Sequence, residues 1–236
     1  MSDSLPVLYS SMFGAIDRLS YDRKIRAIGI DLGTTNSVVA EAIFDPAIVD
    51  SLEVNCLEVE QETIDGPFTN TLLPSVVAVL NGRKYIGEGA KRLRYDVTKY
   101  GLVPNETIFF DCKNDIGNRR TYPKGVFGIT SSVQVASEIL KKIDETIKLS
   151  GHQSSSQYVI TVPASFQNSQ RRETAEAAKR AGIEILPGRM IDEPVAAFID
   201  FLRTHPKHFG EWKSGSRKVL VFDFGGSYCQ MSCSGG

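Results

Sequence analysis

An α/β fold is predicted by three features of this chain. Two apolar strands each end on Asp and then Gly, at Asp31-Leu32-Gly33 and Asp223-Phe224-Gly225, and helical patterns from Ser131 to Leu149 and Asn168 to Ala181 lie between them. The first strand, Ala27 to Ile30, reads as buried. It enters a Gly-Thr-Thr turn and returns as a second strand, Val38 to Glu41, which is the pattern of a β-hairpin with a tight tip. An Asp-Leu-Gly turn by itself is more often an ordinary Asx-type turn. The second copy, Val219 to Ser227, points instead to a duplicated fold that pinches a ligand between two hairpins.

The chemistry of the first tip fits that reading. Gly33 lets backbone approach a ligand closely. Thr34 and Thr35 add hydroxyls beside their own amides, and Asp31 at the strand end suits a hydrated Mg²⁺ held through its waters. Phosphate donors next to one carboxylate make a grip for a nucleoside triphosphate.

Bulk properties narrow the classes. The chain has 236 residues, 42% apolar and 23% charged, which is enough for one or two modest globular units. A net charge of −1 carries no signature of nucleic-acid or anionic-membrane binding. No run approaches the ~18 apolar residues of a membrane span. Met1 to Tyr21 lacks the basic start and continuous apolar core of a signal peptide. Cys56, Cys112, Cys229 and Cys233 form no Cys-x-x-Cys pair, so neither a zinc site nor a disulfide framework is expected, and a reduced cytoplasmic setting is the default.

In chain order, residues 1–25 read as a loosely packed N-terminal extension. After the first hairpin, Leu52 to Glu60 reads as one strand, broken by Gly66-Pro67. Leu73 to Leu80 is a second strand, turned by Asn81-Gly82 into a return over Arg83 to Ile86. Gly87-Glu88-Gly89 begins like a dinucleotide fingerprint but has Arg92 where the third Gly belongs, so a helix over Glu88 to Arg94 is the better reading. Thr107 to Gly117 is a strand or short helix with one lysine, Lys113, whose default is a solvated surface position.

Ser131 to Leu149 is amphipathic, with Val133, Ala136, Ile139, Leu140, Ile143 and Ile147 at helical spacing. A Ser131–Gln134 capping box, Glu138–Lys142 and Asp144–Lys148 pairs, and a stop at Gly151 are expected. Ser154 to Gln157 is a polar linker. Tyr158 to Val162 is a buried strand ended by Pro163. Asn168 to Ala181 is a helix whose Ala175, Ala178 and Ala181 suit close packing on a sheet, and Arg171-Arg172 reads by default as a solvated basic turn. A strand over Ile183 to Leu186 follows. Met190 to Asp192 then leads into a helix to about Arg203, begun by Glu193-Pro194. His205 to Arg217 is a polar crossover to the last strand, Lys218 to Phe222.

Taken together, the first hairpin, the run Val159-Ile160-Thr161-Val162-Pro163-Ala164-Ser165-Phe166 with Ser169-Gln170-Arg171-Arg172, the Glu193-Pro194 segment and the Asp223 hairpin resemble, in this order, the nucleotide-binding domain of the 70-kilodalton heat-shock chaperone family (DnaK-like). The resemblance runs from about Arg26 to Ser232. It implies the actin/hexokinase/heat-shock-chaperone ATPase fold, ribonuclease H-like, with residues 26–217 as a first lobe and an accessory part at about 52–123. Residues 218–236 would be the opening strand and hairpin of a second lobe. It also implies an ATPase that binds ATP or ADP with Mg²⁺, and partners among client polypeptides and co-chaperones.

Carried over by position, Asp31 and Asp223 hold the metal's waters. Gly33, Thr34, Thr35 and Asn36 face phosphate on one side, and Gly225, Gly226 and Ser227 face it on the other. Lys113, in Phe110-Asp111-Cys112-Lys113, matches a lysine that reaches the γ-phosphate and the attacking water. Glu193 matches a glutamate near that water, and Pro163 and Arg171 match residues that relay nucleotide state to a docked substrate domain.

The chain also departs from the pattern. Gly117 to Tyr122 is much shorter than in the family, which trims the accessory part. In the second hairpin Ser227 replaces a Gly, Tyr228 a Thr and Gln230 an Asp. The chain stops at Gly236, where the family has most of its second lobe still to come. The expectation is therefore weak ATP binding with negligible turnover by this chain, or, as the alternative, a non-catalytic protein-interaction module derived from such a lobe. No second-substrate motif supports a sugar or acetate kinase, and no Gly-x-x-x-x-Gly-Lys-Ser/Thr motif supports a Walker ATPase.

Overall fold

A computed structural model describes residues 24–45, 47–48, 52–118, 120–151, 157–205, 218–224 and 229–235. Residues 1–23 of the predicted N-terminal extension, 154–156 of the predicted Ser154 to Gln157 linker and most of the 205–217 crossover lie outside the described residues, as do Gly225, Gly226, Ser227 and Tyr228, whereas Ile25 and Gln157 each begin a strand. In chain order the strands and helices are β1 (Ile25–Asp31), β2 (Asn36–Phe44), β3 (Glu53–Cys56), β4 (Val59–Thr63), β5 (Gly66–Asn70), β6 (Leu73–Pro74), β7 (Val77–Leu80), β8 (Arg83–Ile86), α1 (Glu88–Arg94), β9 (Ile108–Phe109), α2 (Cys112–Asp115), α3 (Ser132–Leu149), β10 (Gln157–Val162), α4 (Asn168–Arg180), β11 (Met190–Asp192), α5 (Glu193–Thr204), β12 (Lys218–Phe224) and β13 (Cys229–Gly235). No helix among the described residues is long and apolar enough to cross a membrane.

The central sheet runs β11-β10-β1-β2-β3, with β6 paired on β2. β10 and β11 are parallel to β1, and β2 is antiparallel to it. In β1 burial alternates, with Ile28 and Ile30 inside and Gly29 and Asp31 exposed. The strand expected to be buried is thus covered on one face, the ordinary consequence of the two-residue side-chain period. The covered face meets α3, whose Val135, Ile139, Leu140, Ile143 and Ile147 join Ile28, Ile30, Val39, Ile160 and Val162 in one core. Each such side chain contributes about 1.5–3 kcal/mol by leaving water. A second, smaller apolar cluster gathers Val76, Ala78, Tyr85, Ala90, Leu93, Leu102 and Ile108 from β7, β8, α1, β9 and their flanks.

Several local expectations change. The single strand read at Leu52 to Glu60 is two: β3 pairs with β2, whereas β4 pairs with β5. Between them the Leu57 amide bonds the Val39 carbonyl, and the chain leaves the central sheet. Gly66-Pro67 opens β5 rather than breaking a strand: Gly66 takes φ 123 at the hairpin turn, and Pro67 sits on a two-stranded ladder where a missing N–H is tolerated. Leu73 to Leu80 also splits, into β6 on β2 and β7 in a separate sheet. The Asn81-Gly82 turn forms as expected, with both residues at positive φ.

Gly87 and Gly89 face protein, not a nucleotide. A Cβ on Gly89 would meet the Glu62 carbonyl, and the Glu88 amide donates to Gln61 Oε1 at 2.7 Å. In α3 the Ser131 hydroxyl bonds the Gln134 side-chain oxygen, so the reciprocal capping box does not form. Glu138 pairs with Lys84 and Lys141 rather than Lys142, because Lys84 reaches it from β8, while Asp144–Lys148 forms at 2.5 Å. The α4 alanines Ala177, Ala178 and Ala181 are buried in the same core as Ile160 and Val162 of β10, and α4 also packs along α3. Residues 183–186 are not a strand. Ile183 returns its amide to the Ala178 carbonyl as the chain leaves α4. Finally, β12 pairs with β13 as a hairpin of its own, with α5 against both strands.

Candidate functional site

Three parallel strands end level with one another. Asp31 of β1 lies opposite Thr161 of β10, and Thr161 opposite Ile191 of β11, two residues before Glu193. With strands spaced about 4.8 Å apart, Asp31 and Ile191 are separated by roughly 10 Å of backbone. The ends of parallel strands gather side chains of distant sequence and leave a crevice for a ligand. Asp31 is exposed, and its Oδ1 accepts from the Thr161 hydroxyl at 3.2 Å.

The β1–β2 tip is held from behind by one residue. The Ser75 hydroxyl donates to the Gly33 carbonyl at 2.7 Å, and the Ser75 amide donates to the Thr35 carbonyl at 2.8 Å. Because that hydroxyl proton is committed, Ser37 donates to Ser75 Oγ, 2.9 Å away. Among the described residues the amides of Gly33, Thr34 and Thr35 find no backbone acceptor. A Cβ on Gly33 would lie 2.0 Å from the Asn36 carbonyl oxygen, so the tip closes only around glycine. The Gly33 and Thr35 carbonyls are taken up inside, and the amides of Gly33, Thr34 and Thr35 are left as donors.

Lys113 arrives by another route. After β9, Asp111 adopts the left-handed conformation (φ 56, ψ 23), tolerated by Asp better than by most residues, and this turns the chain into α2. Cys112 and Ile116 anchor α2 in the core. Burial, helped by the charges of Asp111 and Asp115, pushes the Cys112 thiol up to about 12, so it is an inert core group. Lys113 is not a solvated surface lysine: only 5% exposed, it places Nζ 2.5 Å from Glu193 Oε1, across 80 residues of sequence. Asp115 closes the segment by accepting from Tyr122 Oη at 3.2 Å and from Arg120. Burial first, then the Asp115 charge, raises the Tyr122 phenol.

Glu193 opens α5, with Pro194 in the first turn, where a carboxylate complements the helix dipole. Its neighbour Asp192 accepts from the Arg171 guanidinium at 2.5 Å, and Arg171 Nε donates to the Phe166 carbonyl at 3.1 Å. Arg171 is therefore a structural tie between the 163–166 turn and the β11–α5 junction, not a solvated basic turn.

The structure thus brings Asp31, the Gly33–Asn36 tip and the Lys113–Glu193 pair to one end of the central sheet. Asp223 is placed by its backbone near the end of β12, opposite Gln230. Sequence reading did not single out Ser75, Thr161 or Asp192, whose contacts depend on which strands become neighbours. Among the described residues no group of three or more His, Cys, Asp or Glu side chains converges to hold a metal ion directly. Asp31, an exposed carboxylate at a strand end, is a donor of the kind that fits a hydrated Mg²⁺ held through its waters. A groove of about 580 Å³ is lined by Arg172, Ala175, Glu176, Lys179 and residues 182–185, and none of the Asp31, Lys113 and Glu193 set lines it.

The fold defines an α/β unit of the actin-like ATPase type, with its candidate site at the ends of parallel strands. Residues 120–234 match the family model described as Hsp70 protein. Two curated relatives, each named chaperone protein DnaK and from two strains of Thermus thermophilus, are 33% identical to this chain over 222 residues. Those matches cover 85% of this chain and 31% of each relative, so the chain spans about a third of their length. By these matches the chain is similar to the Hsp70 family over most of its length.

Proposed function

We propose that this chain is an ATP-binding, chaperone-type ATPase domain whose turnover is weak. The observation that carries the reading is the buried Lys113–Glu193 pair at the sheet end that also carries Asp31 and the donor-rich tip. In this reading the amides and hydroxyls of Gly33, Thr34, Thr35 and Asn36 take phosphate oxygens of ATP or ADP, and Gly225, Gly226 and Ser227 take them from the opposing hairpin. Asp31 and Asp223 hold Mg²⁺ through its waters. When bound, the ion supplies charge neutralisation of the phosphates.

An ammonium has three donors. One goes to Glu193, which leaves Lys113 able to stabilise negative charge developing on a transferring phosphoryl group. Glu193, fixed by that bond, is placed to orient the attacking water. Residues 26–217 form the first lobe in this reading, with an accessory part at about 52–123, and residues 218–236 open the second. Client polypeptides and co-chaperones are the corresponding partners, in a cytoplasmic setting.

Weak turnover follows from the second hairpin. Tyr228 is bulky where a small hydroxyl should touch phosphate. Gln230, opposite Asp223 in the ladder, supplies an amide where a second carboxylate would steady the metal's waters. The same position favours a second reading, a non-catalytic interaction module. Calorimetric titration with ATP, with and without Mg²⁺, separates the two. Mg-dependent micromolar binding that is lost in Asp31→Ala supports the nucleotide reading, and no detectable binding supports the module. Robust turnover abolished by Lys113→Ala would overturn the claim of weak hydrolysis.

A further inference from the structure

One helix holds both halves of the Lys113–Glu193 pair from behind. Arg171 of α4 grips Asp192, the residue before Glu193, at 2.5 Å. Two positions along, Glu173 accepts the amide of Gly117, four residues after Lys113, at 2.7 Å. Gly117 has φ 82, and a Cβ there would lie 2.2 Å from Gln170 Cγ, so the end of α2 is pressed directly onto the first turns of α4. The contacts close a ring: Lys113 to Glu193 through their side chains, Asp192 to Arg171, along α4 to Glu173, and back through Gly117 to Lys113. α2 has only four residues and cannot hold a lysine in register by itself. A carboxylate receiving a backbone N–H is a charge-assisted bond, stronger than a neutral one, and it acts on the segment that aims Lys113.

We infer that Glu173 is a positioning residue: through the Gly117 amide it fixes α2 so that Lys113 meets Glu193. This rests on the nucleotide-site reading for its functional meaning, but its physical content is the coupling between Lys113 and Glu193, which is measurable without nucleotide. The test is a double-mutant cycle by urea unfolding, with Lys113→Met and Glu193→Ala, run in the parent chain and again in Glu173→Gln and Glu173→Ala.

The expected coupling is about tenfold in the unfolding constant of the parent, falling to about threefold in Glu173→Gln and to near unity in Glu173→Ala. Should Glu173→Ala not fold, Glu173→Gln carries the test, since it keeps an acceptor and removes the charge. Coupling that is the same in all backgrounds, or absent from the parent, overturns the assignment. MgATP titration of the same proteins separates the two claims. If the parent does not bind but the coupling responds to Glu173, the nucleotide reading fails and the positioning role stands. Binding that weakens in Glu173→Ala while the coupling is unchanged overturns the positioning role.

Discussion

Removing the carboxylate of Glu193 is predicted to cost more stability than removing the charge of Lys113. The two groups are 2.5 Å apart but unequally buried, the side chain alone being 6% exposed for Lys113 and 15% for Glu193. Glu193→Ala leaves an ammonium in the interior with its ionic partner gone, in a place where water has little access. Breaking a buried pair from one side costs about 3–5 kcal/mol, and the partial exposure of Glu193 argues for the lower end, about 3 kcal/mol. Lys113→Met keeps nearly the same volume and leaves a carboxylate that water can reach, for about 1–2 kcal/mol.

The assay is urea unfolding of each variant, with the slope checked for constancy. At about 1–3 kcal/mol per molar urea, Glu193→Ala lowers the midpoint by roughly 1–3 M, about twice the effect of Lys113→Met. The double variant should cost little more than Glu193→Ala alone, since the stranded ammonium is then gone. Equal costs, or a larger cost for Lys113→Met, would refute the burial asymmetry on which the reasoning rests.

At the tip, Gly33→Ala must displace the Asn36 carbonyl, which lies 2.0 Å from the added carbon, so a loss of about 1–3 kcal/mol together with loss of MgATP binding is expected from unfolding and titration. Thiol labelling should modify exposed Cys56 quickly and buried Cys112, its thiol pushed up to about 12, only at the rate of unfolding; replacing Cys56, Cys229 and Cys233 by Ser leaves Cys112 as the one thiol and makes its rate readable. Burial raises the Glu138 carboxyl, but hydrogen bonds from Lys141 and Lys84 outweigh it and hold the group below its ordinary value of 4.5. A depressed folded value means that its stabilisation is present above about pH 4.5 and is lost as pH falls through the folded value, so Glu138→Gln should flatten the acid loss of stability when unfolding is compared at about pH 7 and pH 3.

Much of this molecule was legible in order along the chain, because its signals are local. The Asn81-Gly82 turn, the Glu88–Arg94 helix that follows Gly87 and the long amphipathic stretch at Ser132–Leu149 are each set by turn chemistry or by a period within a few residues, and each appears where expected. The hairpin around Gly33 was legible for the same reason, since its closure depends on atoms three residues away. Splits such as those at Leu57 and Ser75 were not. An alternating run looks the same whether it stays in one sheet or crosses into another, and the switch depends on which ladder offers partners.

Within the candidate site, the turn pattern marked Asp31, while Lys113 and Glu193 were marked by the family resemblance alone, each with an ordinary surface explanation in the residues themselves. Only the tertiary structure decided that Lys113 is buried and that its partner is Glu193, 80 residues away. It also decided that Thr161 stands beside Asp31, and that Glu173 and Arg171 reach from one helix to both sides of the pair. Ion pairing and burial are properties of neighbours in space, and it is the parallel register of β1, β10 and β11 that makes these strand ends neighbours.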